Sequence, residues 1–255
     1  MNNNKKFSFK IRRKILVFCA VTALALTLWP VHLSKTDAAV LASVSPLAVT
    51  VRNLWGAPKG EAVDATLYRS DSALGWNWSR LNPLKQRGLT YVQPIYPSAR
   101  IVLKTPAAVG AIQSFNLFAE YDYKQKPTGS YNLAFDVFLR EKGTATDNRK
   151  SEIMVWLDWT LPQPASSYKG VVSDGSNTFD DYSWTKSNGF DYHSFLVKPK
   201  SSSTARAINL KALIERIKPD KDWYISEVEL GTEVWNGAGA VELTSFYLEL
   251  NGETL

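Results

Sequence analysis

One cysteine and two histidines in 255 residues leave little room for several kinds of chemistry. Cys19 lies within an N-terminal leader pattern, so the body of the chain has neither a disulfide framework nor a thiol nucleophile. His32 sits in the same region and leaves His193 alone in the body. A single imidazole without thiols cannot build a His-rich or Cys-rich zinc site. A Ser-His-Asp triad is formally open to His193, but Asp191-Tyr192-His193-Ser194-Phe195 alternates like a strand and no Gly-x-Ser-x-Gly elbow occurs. A strand histidine is the stronger reading. If catalysis is present, carboxylates are its agents.

A basic body is also lacking. The formal charge of +6 comes from 30 Lys and Arg against 24 Asp and Glu. Lys5, Lys6, Lys10, Arg12, Arg13 and Lys14 supply the whole excess, and no acid precedes Asp37. A neutral remainder makes a poor phosphate binder, which excludes nucleic acid as the expected partner. The basic cluster is followed by an apolar run from Ile15 to Trp29 and then by small and polar residues, the pattern of a secretion signal. The run is shorter than the ~20 residues a spanning helix requires, although an uncleaved anchor is the competing reading. Residues 1–38 are expected to be the signal, cut near Ala38 or after Ala42, with 39–48 a linker and 49–255 a single exported domain.

What is abundant is short strands between turn signals. Residues 51–55, 75–78, 90–96, 112–121, 131–139, 152–159, 182–185, 192–197, 225–234 and 241–250 read as strands punctuated by glycine and proline. From Ala205 to Lys218, Leu210, Leu213, Ile214 and Ile217 recur at helical spacing. Ser203 or Thr204 is the expected N-cap and Pro219 the stop. The expected fold class is all-β, a sandwich or barrel with one packed helix.

Strand alternation sorts the acids. In residues 151–157, Ile153, Val155 and Leu157 form a purely aliphatic face that must be core, while Glu152, Met154 and Trp156 share the other. Glu229, Gly231, Glu233 and Trp235 likewise oppose Leu230 and Val234, and Asp136 shares a face with Ala134 and Phe138. Acids among aromatics suit glycoside hydrolysis, which needs two carboxyl groups across the scissile bond and flat faces for sugar rings. Ordinary solvated strand charges remain the alternative, and periodicity goes no further.

The run Glu152-Ile153-Met154-Val155-Trp156-Leu157 resembles the nucleophile strand of family 12 glycoside hydrolases, small endo-β-1,4-glucanases. Residues 131–139 resemble the strand before it, and Gly231-Thr232-Glu233-Val234-Trp235-Asn236-Gly237 is similar to the acid/base segment. Asn53-Leu54-Trp55-Gly56 and Trp76-Asn77-Trp78 resemble the N-terminal motifs, in family order. Val234 departs from the proline many members have, which leaves the loop beyond the acid/base open.

The resemblance implies a β-jelly roll of two curved antiparallel sheets with an open cleft, and a retaining double displacement. Glu152 is the implied nucleophile and Glu233 the acid/base, with carboxyl groups ~5–5.5 Å apart. Neighbouring antiparallel strands are expected to bring them together. Asp136 is the implied hydrogen-bonding partner of Glu152. Asn53 and Trp55 are implied on the non-reducing side, Trp156 and Trp235 near the cut, and Met154 at the cleft floor. Glu152 is expected to keep a low pKa and Glu233 a raised one. The implied partner is a β-1,4-glucan, with no cofactor, no metal, no stable membrane association and a monomeric state. The rival reading is a non-catalytic, lectin-like carbohydrate-binding sandwich, since fold does not fix function.

Overall fold

The computed structural model describes residues 44–70, 72–141, 148–161, 163–200 and 205–255. The expected signal peptide, Cys19, His32, Ser203 and Thr204 lie outside them. Among the described residues, thirteen strands and one α-helix follow in chain order: β1 Ala48–Val51, β2 Asp64–Arg69, β3 Leu74–Arg80, β4 Ser98–Ala108, β5 Phe115–Gln125, β6 Ser130–Arg140, β7 Arg149–Trp159, β8 Tyr168–Ser173, β9 Thr178–Thr185, β10 Asp191–Lys198, β11 Arg206–Asn209, α1 Leu210–Ile217, β12 Tyr224–Leu250 and β13 Glu253–Thr254.

One sheet runs β1-β4-β12-β6-β7-β10-β9-β8. The other is built from β2, β3, the second half of β12, β5 and β11. The 27-residue β12 belongs to both, pairing with β4 and β6 up to Asn236 and with β3 from Gly237. Gly237 makes the changeover at φ +104°, where a Cβ would lie 1.9 Å from the carbonyl oxygen of Thr128. Between the sheets, Phe135, Val137, Ile153, Val155, Leu157, Val228 and Leu230 join Phe115, Leu117, Phe195 and Phe246 in one core. The apolar faces expected of β7 and β12 are therefore the interior, as is the face of β6 opposite Asp136, and the sandwich architecture is as expected.

Several boundaries differ. The last residues of the expected linker belong to the fold: Val44 bridges Phe246, and Ala48 is buried as the first residue of β1. Residues 52–55 leave the sheet in a turn in which the Asn53 side chain accepts from the Trp55 amide at 3.2 Å. Of the segment 90–96, only Ile95 bridges a strand, and β4 forms instead from 98 onward. The edge strands β2 and β8 were not foreseen, because half-exposed edges lack a clean alternation. The helix is shorter than its apolar stripe: β11 pairs with β5 up to Asn209, whose side chain caps the helix by accepting from the Ala212 amide at 3.2 Å. It ends at Lys218, at φ 52°, just before Pro219. One pair in the first sheet, β7 with β10, is parallel, since β8 and β9 intervene in the chain.

Candidate active site

Strand register assembles the site on the face of the first sheet that points away from the core. Across β10, β7 and β6, Tyr192, Glu152 and Phe138 stand side by side. The next row reads Ser194, Met154, Asp136, Glu229 and Arg100 from β10 to β4. Glu233 on β12 pairs with Asn132 on β6. Contrary to the expectation of neighbouring strands, β6 separates the strands of Glu152 and Glu233. Two inter-strand spacings are about 9.5 Å, so only side chains converging over β6 can meet, and Asp136 lies on that intervening strand.

Two adjoining hollows of ≈ 440 and ≈ 380 Å³ share Trp55, Glu152, Lys186 and Glu233 in their walls. Asn53, Tyr96, Arg100, Asp136, Phe138, Arg149, Phe190 and Glu229 line the first. Tyr91, Trp156, Trp184, Tyr192 and Trp235 are among those lining the second. One is charged and the other aromatic, and the two glutamates stand where they meet. Gly231 lets the walls close up: a Cβ there would lie 2.6 Å from the Tyr96 ring, whose hydroxyl donates to the Ala134 carbonyl at 3.1 Å.

The loop bearing Asn53 and Trp55 is pinned from below by Arg80, a fully buried side chain. Its guanidinium pairs with Glu61 at 2.5 Å and donates to the carbonyls of Gln93, Val234 and Gly56. One side chain thus ties the Trp55 loop and the segment before Tyr96 to β12, next to Glu233.

Burial sets the electrostatics. Glu233 Oε2 accepts from Asn132 Nδ2 at 2.5 Å, yet burial and the charge of Glu152 push its carboxyl up to about 8. Glu152 is pushed up to about 7 by burial, against the opposing pull of Lys186 and Arg149. The expectation that Glu152 keeps a low pKa is thereby corrected: two exposed cations do not offset the loss of water, though Glu152 stays below Glu233. Asp136 is raised well above the ordinary carboxylate range by burial first, then by Glu152, Glu229 and Glu233.

The residues singled out from the sequence fall into two groups. Glu152, Glu233, Asp136, Asn53, Trp55, Trp156 and Trp235 all line the hollows, with Trp55 on the rim at 49% exposure. Met154 does not: at 1% exposure it lies beneath the surface, its sulfur accepting from the Tyr192 hydroxyl at 3.0 Å. It belongs to a small cluster with Ala134, Trp156, Tyr192 and Leu196 that supports the floor from below. Trp76 and Trp78 are buried packing residues. His193 alternates with Tyr192 and Ser194, on the side of Phe195 and Val197, away from the hollows.

Sequence reasoning missed Arg100, Arg149, Lys186, Phe190, Tyr96, Tyr91 and Trp184 as wall residues. Glu229 was visible by alternation but had no stated role. Trp184 had a signal in its unbroken alternation with Tyr182, and its ring meets that of Tyr192 at a tilt of 32° with centroids 4.1 Å apart.

Comparison with known proteins agrees with the fold. The model of glycosyl hydrolase family 12 matches residues 45–251. Endoglucanase S of Pectobacterium parmentieri is 24% identical over 216 residues, covering 78% of this chain and 80% of that protein. A probable xyloglucan-specific endo-β-1,4-glucanase A of Aspergillus clavatus is 27% identical over 225 residues, covering 78% and 84%. Among solved structures, a family 12 xyloglucanase from Bacillus licheniformis in complex with ligand superposes with a TM-score of 0.68 at 25% identity, covering 80% of this chain and 93% of its own. The two-sheet fold, the order of its motifs and a family match spanning the described domain lead to one assignment: the chain belongs to glycosyl hydrolase family 12.

Proposed function

We propose that the protein is an endo-β-1,4-glucanase that hydrolyses internal bonds of soluble β-glucans with retention of configuration. The observation that supports this most is the pair Glu152 and Glu233, half-buried at the junction of an aromatic and a charged hollow, with Glu233 the more reluctant to ionise. Glu152, ionised, attacks the anomeric carbon while Glu233 gives its proton to the departing glycosidic oxygen. The glycosyl ester of Glu152 carries no charge, so the repulsion that held the proton on Glu233 disappears. Glu233 then takes a proton from water, whose oxygen attacks the anomeric carbon and frees Glu152. Trp55, Trp156 and Trp235 offer ring faces to the sugars, and Asn53 stands beside Trp55 in the first hollow.

Activity requires Glu152 without its proton and Glu233 with it, so kcat/KM follows a bell whose limbs lie at about 7 and about 8. Reducing sugar released from barley β-glucan, carboxymethylcellulose and xyloglucan tests the reading. Binding of these polymers with no release from any of them would establish the lectin-like alternative instead. The leader is proposed to export the chain, with residues 1–38 removed and no stable attachment to a membrane afterwards. Amino-terminal sequencing of protein from the culture medium should begin at Ala39, and light scattering should give the mass of a monomer.

A further inference from the structure

Three carboxyl groups occupy three neighbouring strands of the active face. Glu229 on β12 stands directly opposite Asp136 on β6. Glu152 lies on β7, two residues before Met154, the partner of Asp136. Asp136 and Glu229 are both buried. Carboxylates this close cannot all ionise, so the place of each proton is decided by what surrounds it.

Their surroundings differ sharply. From β4, Arg100 Nη2 contacts Glu229 Oε1 at 2.6 Å and the Ser98 hydroxyl donates to Oε2 at 2.6 Å. Arg100 also reaches Glu227 at 3.4 Å, and Glu227 is paired with Arg140 at 2.6 Å. Both oxygens of Glu229 are therefore engaged, one by a guanidinium and one by a hydroxyl donor. Asp136 has no such cover, and its Oδ1 receives no hydrogen bond among the described residues. The groups acting on it are Glu152 and Arg149 from β7, Glu229 and Glu233 from β12, and burial itself. Beside them, the Tyr96 phenol is held neutral by burial and by these same acids. Of these groups Arg149 is the positive one among the described residues, and it is exposed, with its guanidinium 3.9 Å from the Phe138 ring centroid. Arg100 stands on the far side of Glu229 from Asp136, so the carboxylate is the nearer charge.

We propose that Glu229, clamped by Arg100 and Ser98, is a positioning residue that keeps a proton on Asp136, making Asp136 a hydrogen-bond donor to Glu152 and leaving the nucleophile as the charged member of the pair. The proposal rests on the assignment of Glu152 as nucleophile. The raised carboxyl of Asp136 agrees with it. Arg100 and Glu229 thus act on the reaction through Asp136.

Glu229→Gln removes the charge and keeps the shape, and Arg100 retains its contact with Glu227. The acid limb of kcat/KM is expected to move down by on the order of one pH unit, and the carboxyl-13C titration of Asp136, assigned by its loss in Asp136→Asn, should move with it. In an Asp136→Asn background, Glu229→Gln should leave the limb where the first substitution put it. A merely structural Glu229 would lower rate or stability without moving the limb. An unmoved limb, or a shift that persists in the double variant, overturns the proposal. So does titration of Asp136 among the surface carboxylates of the unaltered protein, a result that needs no variant to fold. If no β-glucan is hydrolysed, the nucleophile assignment falls, while the titrations still decide whether Glu229 governs the proton of Asp136.

Discussion

The same three strands, β6, β7 and β12, have two opposite faces. Inward, Phe135, Val137, Ile153, Val155, Leu157, Val228 and Leu230 are fully buried and apolar. Outward, Asp136, Glu152, Glu229 and Glu233 share the surface with Phe138 and Trp156. One face excludes water to hold the sheets together. The other removes enough water to push Glu152 and Glu233 out of the ordinary carboxylate range, a cost that is tolerated where chemistry benefits. The difference teaches that strand alternation separates stability from activity within a single element, so that a substitution should disturb one and spare the other.

The largest break in that separation should come from the outer face. Glu152→Ala should abolish hydrolysis, with added azide restoring turnover and giving an inverted product. Glu233→Ala should slow cleavage of natural glucan by about 10²–10⁴-fold and spare the first step on dinitrophenyl cellobioside, with azide giving a retained product. Kinetics and product anomer check both, and reversed stereochemistry would exchange the roles. On the inner face, Phe135→Ala should cost about 3–5 kcal/mol of stability, measured by urea unfolding, while the folded fraction keeps the limbs of its pH profile. Limbs that moved would mean that the faces are not independent.

A smaller effect links the faces through pH. From the ordinary 4.5 of an unfolded chain, burial in the fold pushes Glu152 up to about 7 and Glu233 up to about 8. Between those values the native state holds protons that the unfolded chain has released, so stability falls as pH rises from about 4.5 through about 8. Glu233→Gln removes one of these groups. Its melting temperature relative to wild type should therefore rise from pH 4 to pH 9, and a constant difference would mean that Glu233 is not perturbed.

The inner face was legible in the sequence because period-two alternation is a property of one strand at a time. Ile153, Val155 and Leu157 announce a core without reference to any partner. Position on the outer face was legible in the same way, which is why Glu152, Asp136 and Glu233 could be named. What those acids meet was not, because register is decided between strands. The intervention of β6 between Glu152 and Glu233, and the pairing of Glu229 with Arg100, depend on neighbours from distant parts of the chain. Arg100 was hidden further by the misplacement of its strand. The raised carboxyl of Glu152 escaped for a related reason, since its burial comes from residues on other elements. Met154 shares the face of Glu152, yet Tyr192 from the parallel strand β10 covers it, and alternation alone cannot see a covering ring. The N-terminus of α1 was misread because the stripe of leucines and isoleucines does not say where pairing with β5 stops and the Asn209 cap begins.

The central claim is that Glu152 and Glu233 cooperate in a double displacement. Proton NMR of the wild-type protein acting on a β-glucan, recorded before mutarotation, reads the first anomer formed. The account predicts the β-anomer first, followed by slow appearance of the α-form. The α-anomer formed first would contradict the covalent intermediate on Glu152 and, with it, the role given to each residue of the site.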